Sequence, residues 1–322
     1  MQKKLLLVFG ILGFLVLAYV IADALLFDGI KPQLILENGI HAKFYAKEGI
    51  KSKTTIVLVG GGTWGDYWSQ QFAKKSLVGF SLSYIDVEGM PKLPEELPLE
   101  YFERAFEWLI QRPEVNTEKI VVMGASRNAE LALVLAATFP NYISGAIAYA
   151  PSAVSWSNTV LPYSSDTIKP SWTYNNEKIP YVPMEKIKGN KTDTIALLDY
   201  WKVGLRKSDL VEKALIKVER IKGNVLLFSG KEDRVWPSSQ MADMIEKRAA
   251  NLGFVYSLQN IQYDNAGHLI SSNPAQEVNP RNGVLYIDGK AFSCPFGGSN
   301  AGDFKAKRDA KQKVHAFLEN IE

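Results

Sequence analysis

One stretch of this chain restricts its fold more than any other. Lys119 to Met123 is a short apolar run, Gly124-Ala125-Ser126 follows, and Ala129 to Phe139 is rich in alanine and leucine. The first segment reads as a buried strand and the last as a helix, with only a few residues between them. A chain that passes directly from strand to helix is the repeating unit of a parallel sheet, because parallel neighbours need a crossover.

The same alternation recurs along the chain. Thr54 to Val59 is a β-branched apolar run ending in Gly60-Gly61-Gly62, and Leu77 to Ile85, Ile143 to Tyr149, Val225 to Phe228 and Phe254 to Tyr263 read as further strands. Pro98 to Gln111 has helical spacing at Leu99, Phe102, Phe106, Leu109 and Ile110, and Ser238 to Asn251 and Ala301 to Ile321 are also helical. Gln33 to Leu36 and His41 to Ala46 flank Asn38-Gly39, a hairpin signal. Continuous apolar strands separated by helices imply an α/β fold, a mostly parallel central sheet with helices on both faces. Residues 152–215, rich in Ser, Pro, Tyr and Trp, interrupt the rhythm and are expected to form a cap or lid insertion. A single catalytic domain over 28–322 accounts for the rest, since α/β folds often use 250 or more residues as one unit.

Residues 1–27 stand apart. Lys3 and Lys4 precede Leu5 to Ala22, which carries no charge, and a bilayer core asks for about 20 apolar residues. The segment is expected to be a retained signal-anchor, or a cleaved signal peptide if Ala22-Asp23-Ala24 is processed. Either way the two lysines keep the N-terminus inside and export the remainder, giving a membrane-anchored or secreted domain.

Composition removes several function classes. The chain has 322 residues, 47% hydrophobic and 22% charged, so wholesale disorder is excluded. Net charge is +3 without a basic stripe interleaved with aromatics, which argues against nucleic acid. One cysteine, Cys294, allows no internal disulfide and no Cys-based zinc site, and three histidines leave little room for another metal site. No metal or organic cofactor is expected.

The residues that carry chemistry come in the order Ser126, Asp233, His268, each after a separate expected strand. A nucleophilic serine needs a sharp strand-to-helix turn flanked by small residues, and Gly124 meets that need. His268 would accept the Ser126 proton, and Asp233 would fix the imidazole tautomer. An oxyanion needs backbone donors close by. Gly61 or Gly62 in the glycine loop and the Arg127 N–H are the candidates, glycine allowing close approach. Trp64, Trp156 and Trp236 are candidate substrate-binding side chains, and Trp172, Tyr174 and Tyr181 join Trp156 in the aromatic insertion. Arg127 is a candidate partner for an anionic substrate group. His41 and His315 read as structural or exposed.

Six segments together resemble a known family. They are Leu97 to Leu109, Gly124-Ala-Ser-Arg-Asn-Ala-Glu130, Ser152 to Trp156, Ser171 to Tyr174 with Pro180 to Pro183, Gly230 to Ser238, and Ala266-Gly-His268. The chain is similar there to the α/β-hydrolase domain shared by acyl-CoA thioesterases and bile-acid-CoA:amino-acid N-acyltransferase. The resemblance implies Ser126 as nucleophile with Asp233 and His268 as partners. The reactions it implies are hydrolysis of an acyl ester or thioester, or acyl transfer to an amine; a catalytically silent binding protein is the contrasting possibility. The family elbow usually reads Gly-x-Ser-Lys-Gly-Ala-Glu, whereas Arg127-Asn128 stands here, and the Asn128 side chain is expected to crowd the turn. Many members carry a β-sandwich domain ahead of the hydrolase, for which the stretch between residue 27 and Thr54 is too short. An exported enzyme would also meet few CoA esters, so the expected substrate is a small-molecule carboxylic ester or thioester of unspecified leaving group.

Overall fold

The structure, a computed structural model, describes residues 2–27, 30–158 and 167–321. Helix α1 (Gln2–Phe27) comes first. Within it Leu7–Leu25 has a mean hydropathy of 2.3 and buries none of its apolar side chains, Lys31 reaching only Tyr19 and Asp23, so it is long and apolar enough to cross a membrane.

The remaining elements alternate as expected. Strands β1 (Gln33–Ile35), β2 (His41–Tyr45) and β3 (Lys53–Val59) lead into α2 (Gly62–Lys74), β4 (Val78–Ser83), the short β5 (Leu97–Pro98), α3 (Glu100–Leu109), β6 (Val115–Ala125), α4 (Arg127–Thr138) and β7 (Gly145–Tyr149). The segment 152–215 leaves the sheet after β7 and supplies β8 (Trp172–Tyr174), β9 (Glu177–Lys178), α5 (Leu197–Leu205) and α6 (Ser208–Ala214). The chain returns through β10 (Asn224–Gly230), α7 (Ser238–Asn251) and β11 (Leu258–Tyr263), then forms a hairpin of β12 (Asn282–Ile287) and β13 (Lys290–Pro295) before the closing helix α8 (Asn300–Glu319).

Eight strands form one sheet in the order β1-β2-β4-β3-β6-β7-β10-β11. Strands β1 and β2 pair antiparallel, as do β2 and β4, and the six strands from β4 to β11 are parallel throughout. This is the α/β-hydrolase topology. Both faces are covered because side chains alternate along each strand. On β3, Ile56 and Leu58 pack with Trp68 and Phe72 of α2 and with Ala310 and Val314 of α8. Val57 and Val59 join the larger cluster on the opposite face with Phe102 and Phe106 of α3 and Leu131 and Leu135 of α4. Two buried faces explain why the strands read as continuous apolar runs rather than as alternation.

Two boundaries and one hairpin that depart from the sequence expectation have a physical reason. Strand β6 begins at Val115, because Asn116, Thr117 and Glu118 are polar and at least partly exposed yet still belong to the strand. Pro98 lies in β5, where it pairs alongside Thr173, so α3 starts only at Glu100. The β12–β13 hairpin was not foreseen, although Asp288-Gly289 is a good hairpin turn and both residues adopt positive φ, 50° and 79°.

His315 reports on the packing of α8. Its ring meets Phe72 at 6.1 Å between centroids. Burial, then the neighbouring Lys75 and Lys311 charges, push its imidazole down to about 4. The folded chain therefore keeps His315 neutral while the unfolded chain protonates it below about pH 6.5. Between those two values the unfolded state binds more protons, so stability is lost as pH falls from about 6.5 towards 4. Thermal unfolding measured across this window is expected to show a falling midpoint, with a shallower fall in His315→Leu. Parallel curves for the two proteins would remove His315 from the acid response.

Candidate active site

Ser126 sits at the junction of β6 and α4 with φ 58° and ψ −124°. A non-glycine residue in that region costs on the order of 1–3 kcal/mol, and the surroundings must hold it. The Ser126 N–H donates to the Tyr149 carbonyl at 2.8 Å, while the Ser126 carbonyl accepts from the Ala129 and Glu130 amides at 2.9 and 3.1 Å. The preceding turn has no space for a side chain. A Cβ on Gly124 would lie 2.1 Å from the Asn128 carbonyl oxygen.

Ser126, Asp233 and His268 lie at the C-terminal ends of the parallel strands, where open α/β sheets place functional groups. They meet in space although far apart in sequence. His268 Nε2 is 2.9 Å from Ser126 Oγ, and His268 Nδ1 is 2.8 Å from Asp233 Oδ2. Asp233, just past β10, is buried and held by three further donors. The Val235 and Trp236 amides donate to Oδ1 at 2.8 and 3.2 Å, and the Ser238 hydroxyl donates to Oδ2 at 2.7 Å. With one ring nitrogen against a carboxylate and the other against a hydroxyl, the imidazole can accept the hydroxyl proton while the carboxylate stabilises the cation that results.

The loop carrying His268 is clamped by the unforeseen hairpin. The His268 amide donates to the Phe296 carbonyl at 2.9 Å, and the Gly267 amide donates to Asp303 Oδ1 at 2.7 Å. Asp303 is itself paired with Arg281 at 2.6 Å. A Cβ on Gly267 would stand 2.3 Å from the Gly297 carbonyl oxygen, so the Gly-His pair answers a packing demand. Phe296, Arg281 and Asp303 escaped the sequence reading. The turn signal at Asp288-Gly289 was the one available pointer to the hairpin that positions the first two.

The glycine loop follows β3. Gly60, Gly61 and Gly62 have φ of 100°, 56° and 62°, values that favour glycine. The Gly60 amide donates to Leu82 and the Gly61 amide to Leu58, at 3.0 and 3.2 Å. Gly62 and Arg127 open α2 and α4, so their amides have no carbonyl four residues earlier within the helix. Among the described residues, neither amide has a hydrogen-bond partner.

Asn128 does not crowd the elbow. Its Oδ1 accepts from the buried Tyr84 hydroxyl at 2.5 Å, and its amide nitrogen takes the space beside Gly60, where an added Cβ would lie only 2.1 Å away. The bulk is thus absorbed by the glycine loop and not by Ser126.

The Arg127 guanidinium is engaged by the protein itself. It pairs with the fully buried Glu130 and also donates to the Ser157 carbonyl at 3.2 Å and to the Ser171 hydroxyl. Glu130 Oε1 accepts from the Trp156 amide at 3.0 Å and Trp172 Nε1 at 2.8 Å. Burial raises the Glu130 carboxyl above its ordinary range, opposed by the Arg127 charge and these donors.

The tryptophans occupy different situations. Trp236 lies 6.1 Å from the His268 ring and 5.4 Å from Trp201, edge-on to both. Trp64, half-buried on α2, donates to the Ser271 carbonyl at 2.9 Å, three residues past His268. Trp156 is fully buried, packs on Trp201 at 4.8 Å and spends its indole N–H on Ser152, which makes it a strut of the insertion. Among the described residues no cluster of three His, Cys, Asp or Glu side chains could hold a metal ion.

Known proteins share this arrangement of elements. The chain is similar to acyl-coenzyme A thioesterase 1 of Mus musculus, 30% identical over 261 residues that cover 81% of this chain and 57% of that protein. It is 31% identical over 263 residues to the mitochondrial acyl-coenzyme A thioesterase 2 of Rattus norvegicus, covering 81% and 53%. The chain therefore spans about half the length of these curated relatives. Among solved structures, the acylaminoacyl peptidase of Pyrococcus horikoshii aligns with a TM-score of 0.54 at 14% identity, over 92% of this chain and 43% of that one. A puromycin-hydrolyzing peptidase of Mycobacterium tuberculosis aligns with 0.54 at 12%, over 91% and 39%. Both likenesses speak for the fold. The family described as BAAT / Acyl-CoA thioester hydrolase C terminal matches residues 97–321, a span that includes Ser126, Asp233 and His268, and the chain belongs to that family.

Proposed function

We propose that this chain is a serine hydrolase that cleaves a small-molecule acyl thioester or carboxylic ester through an acyl-enzyme intermediate. The observation that carries the reading is the hydroxyl–imidazole–carboxylate line of 2.9 and 2.8 Å built on a positive-φ serine. Membership of a thioester hydrolase family and the thioesterase names of the relatives favour the acyl substrate class.

In this mechanism Ser126 Oγ attacks the acyl carbonyl carbon as His268 Nε2 takes the hydroxyl proton. Asp233 stabilises the imidazolium through Nδ1. The carbonyl oxygen, now an oxyanion, faces the Gly62 and Arg127 amides, since the Gly61 amide is engaged with Leu58. Collapse breaks the bond to the thiolate or alkoxide, which leaves with the proton from His268. Water then repeats the sequence on the acyl-serine, and the carboxylic acid is released with Ser126 restored. Helix α1 serves as a membrane tether, with Lys3 and Lys4 on the inner side and the catalytic domain exported.

A fluorophosphonate probe is expected to label Ser126 in the full chain, with labelling lost in His268→Ala. Ser126→Ala and His268→Ala should each lower kcat/KM for an acyl ester or thioester by about 1,000-fold or more with unfolding midpoints near that of the parent. Full turnover in either variant, or a folded chain that never takes the probe, would sink the proposal.

Asn128 gives a second test. It touches Gly60, two residues before one proposed oxyanion donor, and follows Arg127, which bears the other. Asn128→Gly should lower kcat about 3- to 10-fold with little change in KM, because an oxyanion contact acts mainly in the transition state. Tyr84→Phe should give a smaller loss, and the double variant should fall no further than Asn128→Gly alone. An increase in KM with kcat unchanged would instead place Asn128 in substrate binding.

A further inference from the structure

A cavity of about 300 Å3 lies beside the last turns of α4. Val134 and Ala137 of α4, Tyr174 and Ile179 of the insertion, and Leu215 and Ile216 on the way into β10 form its apolar walls. At 1.5 Å rise per residue, the α4 wall stands roughly 12–18 Å along the helix from Ser126, so the cavity is separate from the proposed acyl site. Lys213, Lys217 and Arg220 also line it, all three exposed. Among the described residues, none of these cations has an acidic partner within ion-pair distance, whereas Lys169, Lys207, Arg248 and Arg281 elsewhere on the surface do.

We propose that this cavity binds an amphiphilic anion, namely a medium-chain fatty carboxylate. The tail occupies the apolar walls and the carboxylate meets the three cations at the opening. Small-ligand sites combine apolar walls with a few placed polar groups in this way, at about 300–1,000 Å3. The volume lies at the lower end of that range, which favours a medium tail over a long one. A neutral amphiphile would fill the apolar walls and leave the three cations at the lining without an anionic partner. The lining includes Ser155, next to Trp156, whose amide donates to Glu130 of α4, so an occupant lies against the start of the insertion. No bond is made or broken in this binding, and the inference does not rest on the hydrolase reading.

The test uses the full chain carrying Ser126→Ala, reconstituted in nanodiscs of neutral lipid, with a decanoate bearing a tail diazirine as the probe. Irradiation and peptide mapping are expected to place the label in the peptides containing Val134, Tyr174 and Leu215. Excess decanoate should protect these peptides and excess 1-decanol should not. Ala137→Trp, which fills the cavity, should abolish the label. Combined Lys213→Glu and Lys217→Glu should raise the decanoate concentration needed for protection by about 10-fold or more. If Ala137→Trp fails to fold, the charge reversals on two exposed residues carry the test alone. Label confined to α1 or to the peptide containing residue 126, or equal protection by 1-decanol, or label indifferent to the variants would overturn the proposal.

Discussion

The Glu130 carboxylate is the interaction on which the upper half of this molecule depends. A charge with no solvent access must be paired and hydrogen-bonded, and removing one partner of a buried pair typically costs about 3–5 kcal/mol. Glu130 finds Arg127 one turn earlier on α4, the Trp156 amide on the segment after β7, and the Trp172 indole on β8. Two of these partners belong to the insertion, which is therefore folded around a side chain of the sheet domain. A negative group in the first turn of a helix is also favoured by the helix dipole. One residue thus serves the helix that follows Ser126, the anchoring of the buried Trp156 and Trp172 and the placement of the insertion.

The same economy holds on the other side of the site. Asp233 spends one carboxylate oxygen on two backbone amides and shares the other between His268 and Ser238, so its orientation is set from its own loop. His268 is set by a different device, the stretch between the β12–β13 hairpin and α8. Phe296 receives the His268 amide and Asp303 the Gly267 amide. His268 and Asp233 thus reach one another from separately braced loops. The glycines at 267, 297 and 298 mark where backbones cross too closely for a Cβ.

Much of this was legible in the sequence because it rests on local and periodic signals. The parallel strands are apolar on both faces, and a strand-to-helix junction with Gly124 and Ser126 declares itself without any partner in view. The order of serine, aspartate and histidine carried the rest, since each follows a strand of the same sheet. What escaped depends on contacts distant in sequence. The polar start of β6 is tied to β3 only at Val115, which pairs with Lys53 before the register shifts to Thr55 and Ile120. Trp156 and Trp236 look alike in sequence, yet one is a strut against Trp201 and the other borders His268, a distinction that only tertiary packing makes. Arg127 reads as a free charge beside a serine until its partner three residues on proves to be buried.

Asn128 shows how such a contact alters the meaning of a motif. Judged along the chain, a branched amide where the family carries glycine predicts a disturbed elbow. In space its neighbours are Gly60, which has no side chain to oppose it, and Tyr84, whose hydroxyl satisfies the amide oxygen. Tyr84 is in turn packed edge-on against Phe102 and Trp172, at 5.4 and 5.9 Å. The residue that departs from the pattern therefore joins the glycine loop, the α3 face and the insertion at one point. A glycine at 128 would keep the turn and lose that junction. The requirement for a small residue has moved across the cleft to position 60, where a Cβ would strike the Asn128 amide.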